Sequence, residues 1–137
     1  MRRFSFPYAK EQSKAFGEIL RPVVGVDVLT KRNEWFAIFP YADSGADISL
    51  LPKKIAEIIG LKLEEGRRTA ITGVGGKPLT IYIHKIRMKI GDVKFEARVG
   101  FTDREDIPYL LGRTDILTRF KITFNEKRTT FVVKKST

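Results

Sequence analysis

The chain has 137 residues, of which 42% are hydrophobic and 11% aromatic, and this suffices for one folded domain with one core. It has no cysteine and one histidine, which excludes disulfides, thiolate metal sites and a cysteine nucleophile and leaves little material for a polyhistidine site or a Ser-His-Asp triad. The net charge of +10 raises attraction to nucleic acid, anionic surfaces and acidic substrates. The basic residues are nevertheless scattered among acidic ones without a long single-sign block, which favours a solvated surface over nucleic-acid binding.

No apolar stretch of the sequence approaches the ~20 residues that a membrane-spanning helix needs, so we expect no membrane insertion. Residues 1–11 contain basic side chains but lead into no apolar segment, so we also expect no secretory signal. The lack of cysteine is compatible with a reducing compartment, and we predict a cytoplasmic location.

The start of the chain and the segment after it have different patterns. Residues 1–20 show no strand alternation and are predicted to be an N-terminal extension or arm, with residues 13–20 either a helical turn or a segment packed on the body. Residues 23–29 and 35–41 are apolar runs on either side of a polar turn, which is typical of a β-hairpin. We therefore expect the folded domain to span residues 21–137.

A short turn follows that hairpin, where residues 42–47 read Ala-Asp-Ser-Gly-Ala-Asp. An apolar strand thus delivers a carboxylate into a turn of small residues. Ser44, Gly45 and Ala46 leave room beside Asp43 for another backbone, a water molecule or a substrate, and glycine permits an unusual φ. This pattern predicts that Asp43 is placed for chemistry. The alternative is an aspartate that only forms hydrogen bonds within its own turn.

Residues 52–59 are predicted to form the clearest helix of the chain. Pro52 suits a first helical turn and Gly60 suits a C-terminal cap, and one apolar face carries Ile55, Ile58 and Ile59. We expect these isoleucines to lie in the core.

A strand at residues 67–72, a glycine loop at 73–78 and a long strand that ends near Ile90 come next. In the long strand the apolar positions change phase near His84, which predicts a bulge or kink there. His84 itself is expected to be a surface or half-buried residue.

The remaining elements are a two-residue turn at 91–92, a strand at 93–99, an acidic loop at 103–106, a helical turn at 114–118 and paired strands at 120–124 and 129–133. Short strands at such regular spacing predict an all-β barrel or sandwich.

Three motifs together make residues 21–124 resemble the retropepsin-like aspartic proteases, the single-domain relatives of pepsin. Residues 43–47 (Asp-Ser-Gly-Ala-Asp) are similar to the catalytic motif of that family. Residues 73–76 (Gly-Val-Gly-Gly) are similar to the tip of the flap, a hairpin that closes over bound peptide. Residues 110–113 (Leu-Leu-Gly-Arg) are similar to the element that opens the short C-terminal helix. The resemblance implies an all-β fold: a single-domain, retropepsin-like closed β-barrel with one or two short helices.

The resemblance also implies a role for each matching residue. Asp43 is expected to be catalytic, Ser44 to hydrogen-bond across a dimer, and Gly45 to offer its backbone N–H near the carboxylates. Structural support is expected from Gly112, from Arg113 paired with Asp47 of the same subunit, and from Arg21 reaching Asp47 of the partner subunit. The peptide groove is expected to be lined by Ala46, Asp47, Ile48, Gly73, Val74, Gly75 and Gly76.

The number of motif copies sets the expected assembly. Pepsin-like chains carry two Asp-(Thr/Ser)-Gly elements, whereas this chain carries one. The second carboxylate must then come from another molecule, so the resemblance implies a symmetric homodimer with the active site on its axis. Asp43 of each subunit would activate water to hydrolyse a peptide bond, without metal or other cofactor.

Two other functions are compatible with the same residues. The first is a non-catalytic module of the same fold that binds peptides or a partner protein. The second is a basic β-barrel that binds nucleic acid, which the scattered charges disfavour. Three features depart from the viral pattern: the long first hairpin, the helix at residues 52–59 and the extension before Arg21.

Overall fold

The computed structural model describes residues 2–72 and 76–133 of the chain. The strands, in chain order, are β1 (Arg3–Pro7), β2 (Ala9–Ser13), β3 (Gly17–Arg21), β4 (Val26–Leu29), β5 (Trp35–Ile38), β6 (Tyr41–Ala42), β7 (Ser49–Pro52), β8 (Arg67–Thr72), β9 (Pro78–Ile90), β10 (Val93–Thr102), β11 (Leu110–Leu111), β12 (Phe120–Phe124) and β13 (Arg128–Val133). The helix α1 spans Lys53–Ile59, and short 3-10 helices cover Leu63–Glu65 and Leu117–Arg119. The predicted all-β fold with short helices is confirmed.

Eight strands form one mixed sheet that curls into a half-barrel. Its order is β5-β4-β9-β10-β7-β11-β6, and β8 pairs with the first half of β9. The β7–β10 and β6–β11 pairs are parallel, and the other pairs are antiparallel. The parallel β6–β11 pair matters for function, because it brings two distant loops together where both strands end.

The core lies inside the curl of this sheet and is covered on one side by α1. Ile86, Met88 and Ile90 alternate with charged residues along β9 and are at most 4% exposed. Each fully buried side chain of this size contributes about 1.5–3 kcal/mol to folding. Ile55 and Ile59 of α1 are buried against the same core.

The helix confirms most of the sequence prediction. Pro52 precedes its first turn, and Gly60 ends it with a φ of 96°, the left-handed conformation that glycine adopts without strain. One expectation was wrong: Ile58 is 37% exposed and lies on a surface groove, not in the core. The helix therefore buries only part of the apolar face that its isoleucines form.

The predicted bulge near His84 is not present. The pairing of β9 with β10 runs without interruption from Ile90↔Val93 to Tyr82↔Phe101. The apolar phase changes because β9 exchanges its other neighbour, from β8 in its first half to β4 in its second half. The buried face changes with the neighbour, so Ile81 and Ile86 are both buried on an unbroken strand. His84 is half-buried, as expected, and its Nε2 donates to the carbonyl oxygen of Leu63 at 2.9 Å.

The first twenty residues contain strands, and no helical turn forms at 13–20. Strand β1 pairs with β13, which also pairs with β12, so the start of the chain lies beside its end. Strands β2 and β3 form a separate hairpin whose tip is closed by Ser13 and by Gly17 at a φ of 69°. Because both faces of this hairpin are largely exposed, its sequence lacks the apolar alternation that marks a strand. The division into residues 1–20 and 21–137 stays a prediction.

Candidate functional site

The turn that carries Asp43 begins where β6 ends. The backbone N–H of Asp43 donates to the carbonyl oxygen of Leu111 at 2.9 Å, which extends the parallel β6–β11 pair by one residue. The turn then closes on its own aspartate. The N–H of Gly45 donates to Asp43 Oδ1 at 3.0 Å, and the N–H of Ala46 donates to the Asp43 carbonyl oxygen at 3.1 Å. These bonds orient one oxygen of the carboxylate, which is half-buried.

Glycine at position 45 does not provide the unusual φ that the sequence suggested. Its backbone lies outside the left-handed region. A side chain at this position would start 3.4 Å from Asp43 Oδ1 and would crowd the space beside the carboxylate. The glycine therefore keeps the approach to Asp43 open.

The chain after β11 crosses directly over the chain that follows Asp43. The N–H groups of Arg113 and Thr114 donate to the carbonyl oxygens of Ala46 and Asp47 at 2.9 and 3.0 Å. Gly112 lies at the crossing, where a Cβ would come within 2.5 Å of the carbonyl carbon of Ile48. Only glycine fits at this point, because any side chain would displace the backbone that it crosses.

Two side chains reinforce the crossing. The buried hydroxyl of Ser49 accepts a hydrogen bond of 2.8 Å from the N–H of Gly112. The guanidinium of Arg113 pairs with the Asp47 carboxylate and also donates to the Ser44 carbonyl oxygen at 3.3 Å. Asp47 and Arg113 are 84% and 51% exposed, so this ion pair contributes at most about 1 kcal/mol. Its larger effect is to hold the Asp43 turn against residues 112–114.

The predicted site residues fall into three groups in the structure. Asp43 to Ile48, Gly112 and Arg113 are brought together at the crossing described above. Gly76 is exposed with a φ of 75° and lies between β8 and β9, which pair as a hairpin. Gly73, Val74 and Gly75 lie outside the described residues.

Arg21 stands apart from these three groups, because it lies beside Asp43 but contacts another acid. It and Asp43 line the same depression of about 560 Å3, together with Tyr41 and Pro108. Its Nε is 3.9 Å from the Glu11 carboxylate, and its guanidinium lies 5.7 Å from the centre of the Tyr41 ring. The predicted contact of Arg21 with Asp47 of the partner subunit remains a prediction.

Two residues of this neighbourhood were missed by the sequence prediction. The hydroxyl of Tyr41 donates to the carboxylate of Glu11, at 2.8 Å from each oxygen. The hydrogen bond with Glu11 raises the pKa of the Tyr41 phenol, burial and the negative charge of Glu11 add to this, and Arg21 opposes it. Tyr41 could have been singled out from the sequence, because it lies two residues before Asp43. Glu11 could not, since it precedes Tyr41 by 30 residues.

Over residues 2–72 and 76–133, no cluster of three or more histidine, cysteine or acidic side chains has the arrangement of a metal site. In the same part of the chain, no helix has the length and apolar character needed to cross a membrane.

Comparisons with known proteins agree with this geometry. A family described as "Aspartyl protease" matches residues 20–125. The EIAV protease, solved with an inhibitor, is 26% identical over 72% of this chain and 86% of its own, with a TM-score of 0.54. A retropepsin-like aspartic protease from Rickettsia conorii is 18% identical, covers 93% of this chain and 98% of its own, and has a TM-score of 0.62. Among curated proteins, no sequence matches significantly.

The family match covers the Asp43 turn, the β8–β9 hairpin and the crossing at Gly112. The two solved structures share the fold over most of their own length. The chain therefore belongs to the aspartyl protease family and is an aspartic-type endopeptidase.

Proposed function

We propose that this chain hydrolyses peptide bonds as a homodimer in which each subunit contributes Asp43 to one active site. The observation that carries the proposal is the single Asp-Ser-Gly turn, held at the surface by hydrogen bonds from Gly45 and to Leu111. The other acid of the turn, Asp47, is already paired with Arg113. A second catalytic carboxylate is therefore most simply supplied by a second copy of the turn.

Two carboxylates at hydrogen-bonding distance hold one proton between them, because like charges that close cannot both ionise; aspartic proteases are the type case of this effect. The ionised member takes a proton from a bound water, whose oxygen attacks the carbonyl carbon of the substrate. The protonated member gives its proton to the carbonyl oxygen. When the tetrahedral intermediate collapses, the C–N bond breaks and the nitrogen takes the proton that the first carboxylate had removed from water. A hydroxyl of the intermediate gives its proton to the other carboxylate as the product carboxyl group forms, so the dyad again holds one proton.

The neighbours of Asp43 have supporting roles in this proposal. Ser44 is exposed beside Asp43 and would hydrogen-bond to the other subunit across the axis. Arg113 holds Asp47 and the Ser44 carbonyl, so it fixes the turn in one position. Arg21 would reach Asp47 of the partner subunit, in competition with its contact to Glu11.

The substrate in this proposal is an extended segment of peptide or protein. Ala46, Asp47 and Ile48 would line its groove, and residues 73–76, which connect β8 to β9, would close over it. An extended peptide between these elements adds as a strand, so its backbone gives affinity and its side chains give specificity. A lid of this kind also excludes bulk water from the dyad. The lack of cysteine supports a cytoplasmic place of action.

The test combines activity with assembly. We expect cleavage of an unfolded carrier protein such as casein at acid to mildly acid pH, inhibition by pepstatin, and loss of cleavage in Asp43→Asn. The matched control is Asp92→Asn, at the exposed β9–β10 turn, which should retain activity. Light scattering after size exclusion should give the mass of two chains. Full activity in Asp43→Asn, or in a monomer, would refute the proposal, whereas peptide binding without turnover would identify a non-catalytic binding module.

A further inference from the structure

A second depression, an apolar groove of about 640 Å3, lies on the other side of Tyr41 from Asp43. Its walls are strand β5 with the following Phe39, the exposed side of α1, and strand β2 of the N-terminal hairpin. We call it the β5–α1 groove. Tyr41 and Pro108 line both this groove and the depression that contains Asp43. A chain that binds beside Asp43 therefore reaches the groove by passing Tyr41.

The β5–α1 groove exposes apolar side chains beside an open sheet edge. Phe36 and Ile58 are each 37% exposed, and Phe39 is 65% exposed. Strand β5 lies at the edge of the eight-stranded sheet and, within the described residues, pairs only with β4. Clustered exposed apolar side chains beside an unpaired strand edge are typical of a surface that binds extended peptide.

Tyr41, in the wall between the two depressions, is held in part by Glu11, which precedes the family match that begins at residue 20. Glu11 of β2 accepts the hydrogen bond of the Tyr41 hydroxyl with both carboxylate oxygens. Arg21 at the end of β3 lies over the Tyr41 ring and partly neutralises Glu11. The N-terminal hairpin thus fixes the orientation of Tyr41 and leaves the groove mainly apolar.

We propose that the β5–α1 groove is an extended substrate subsite, which binds an apolar side chain of the same polypeptide that Asp43 cleaves, some residues away from the scissile bond. Glu11 is a positioning residue in this arrangement, because it acts on the substrate through Tyr41. The inference rests on the proposed function. The occupant is the substrate because the groove and the Asp43 depression share a wall and an extended chain can span both.

The test compares a long and a short version of one peptide. The sequence is taken from casein on both sides of a bond that the wild-type protein cleaves, and the short version keeps only the residues next to that bond. Phe39→Ser and Ile58→Ser remove groove side chains that are 65% and 37% exposed. We expect each to raise KM for the long peptide about five- to tenfold, with kcat and the KM of the short peptide unchanged. Phe16→Ser, at the 83% exposed tip of the N-terminal hairpin, is the matched control and should change neither.

The positioning role of Glu11 is tested by comparing single and double variants of Glu11 and Tyr41. Glu11→Ala and Tyr41→Phe each remove the same hydrogen bond, so each should raise KM for the long peptide and the double variant should be no worse than either single one. If Glu11 only stabilised the fold, the variants would have a lower melting temperature but would not raise KM for the long peptide more than for the short one. Equal KM changes for both peptides would overturn the inference.

Failure of the subsite is distinguishable from failure of the proposed function. If the wild-type protein cleaves nothing, binding is measured instead with fluorescent long and short peptides that together cover the casein sequence, and a preference for the long ones that Phe39→Ser removes still supports the subsite. If Phe39→Ser instead changes the mass of the assembly in light scattering, the groove binds a second copy of the chain and the inference is wrong.

Discussion

Asp43 and Leu111 are joined by a backbone hydrogen bond of 2.9 Å, although they are far apart in the chain. This bond continues the parallel pairing of β6 with β11 to the residue that bears the proposed catalytic carboxylate. The crossing at Gly112 comes directly after it. The position of Asp43 thus depends on a second segment of the chain as much as on its own turn.

The proposed dimer predicts how activity falls in mixtures. If each active site needs two copies of Asp43, an equal mixture of wild type and Asp43→Asn leaves about one quarter of the dimers with both carboxylates. We expect activity of about one quarter of that of the same total amount of wild type, once subunits have exchanged. Native mass spectrometry of a tagged variant verifies the exchange. Activity of about three quarters after exchange would show that one Asp43 per dimer suffices, and activity of one half would show that each subunit acts independently; either result contradicts the proposed dyad.

Gly112→Ala should destabilise the fold and abolish activity together. The added methyl group would meet the backbone of Ile48 at 2.5 Å, and neither segment can move without breaking the hydrogen bonds at the crossing. We expect a loss of about 2 kcal/mol or more in the free energy of unfolding, measured by urea denaturation.

Gly45→Ala is the informative comparison. Its methyl group would have ordinary van der Waals contact with Asp43 Oδ1 at 3.4 Å, outside the left-handed region. We expect near wild-type stability with reduced kcat, because the methyl group crowds the carboxylate. Equal stability of Gly112→Ala and Gly45→Ala would contradict this account of the crossing.

Ser49→Ala tests the buried support of the site. The substitution leaves the N–H of Gly112 without its acceptor in an environment where Ser49 is 1% exposed. An unsatisfied buried donor costs about 1–3 kcal/mol, and we expect a loss of that size in the free energy of unfolding. Ser5→Ala removes an exposed hydroxyl that contacts Thr130 at 3.3 Å and should change stability by less than about 0.5 kcal/mol. A loss no larger than that of Ser5→Ala would show that water replaces the Ser49 hydroxyl.

The Arg98–Asp115 pair predicts a dependence of stability on pH. Hydrogen bonds from the side chain and the backbone of Arg98 lower the pKa of Asp115 from 3.8 to about 2. The folded state therefore favours the charged carboxylate. Its contribution is complete above the unfolded value of 3.8 and disappears as the pH falls through about 2.

Asp115→Asn should reveal this window in urea denaturation at several pH values. Asparagine tolerates the φ of 65° at this position, so the variant changes the charge with little backbone strain. We expect it to be less stable than wild type by about 1 kcal/mol near neutral pH, with the difference vanishing near the lower limit of the window. Glu126→Gln, in an exposed turn without an ion pair among the described residues, is the control. A difference that does not depend on pH would assign the effect to packing.

Local patterns predicted much of the site because its parts are short and chemically distinctive. Pro52 and Gly60 bound the helix, the Asp43 turn follows an apolar strand, and Gly112 with Arg113 follows another. The change of apolar phase along β9 was misread as a bulge or kink. An extra residue in the strand and a change of neighbouring strand, from β8 to β4, produce the same sequence pattern.

Local sequence patterns were enough to predict the strand-rich class, the helix at residues 52–59 and a candidate acid, because period-two alternation, caps and small-residue turns act between residues that are close in the chain. The structure was needed to show that β1 lies beside β13, that Gly112 crosses over Ile48 and that Glu11 holds Tyr41. These contacts join residues that are far apart in sequence, where the free energy of closing the chain is repaid by packing that no local pattern encodes.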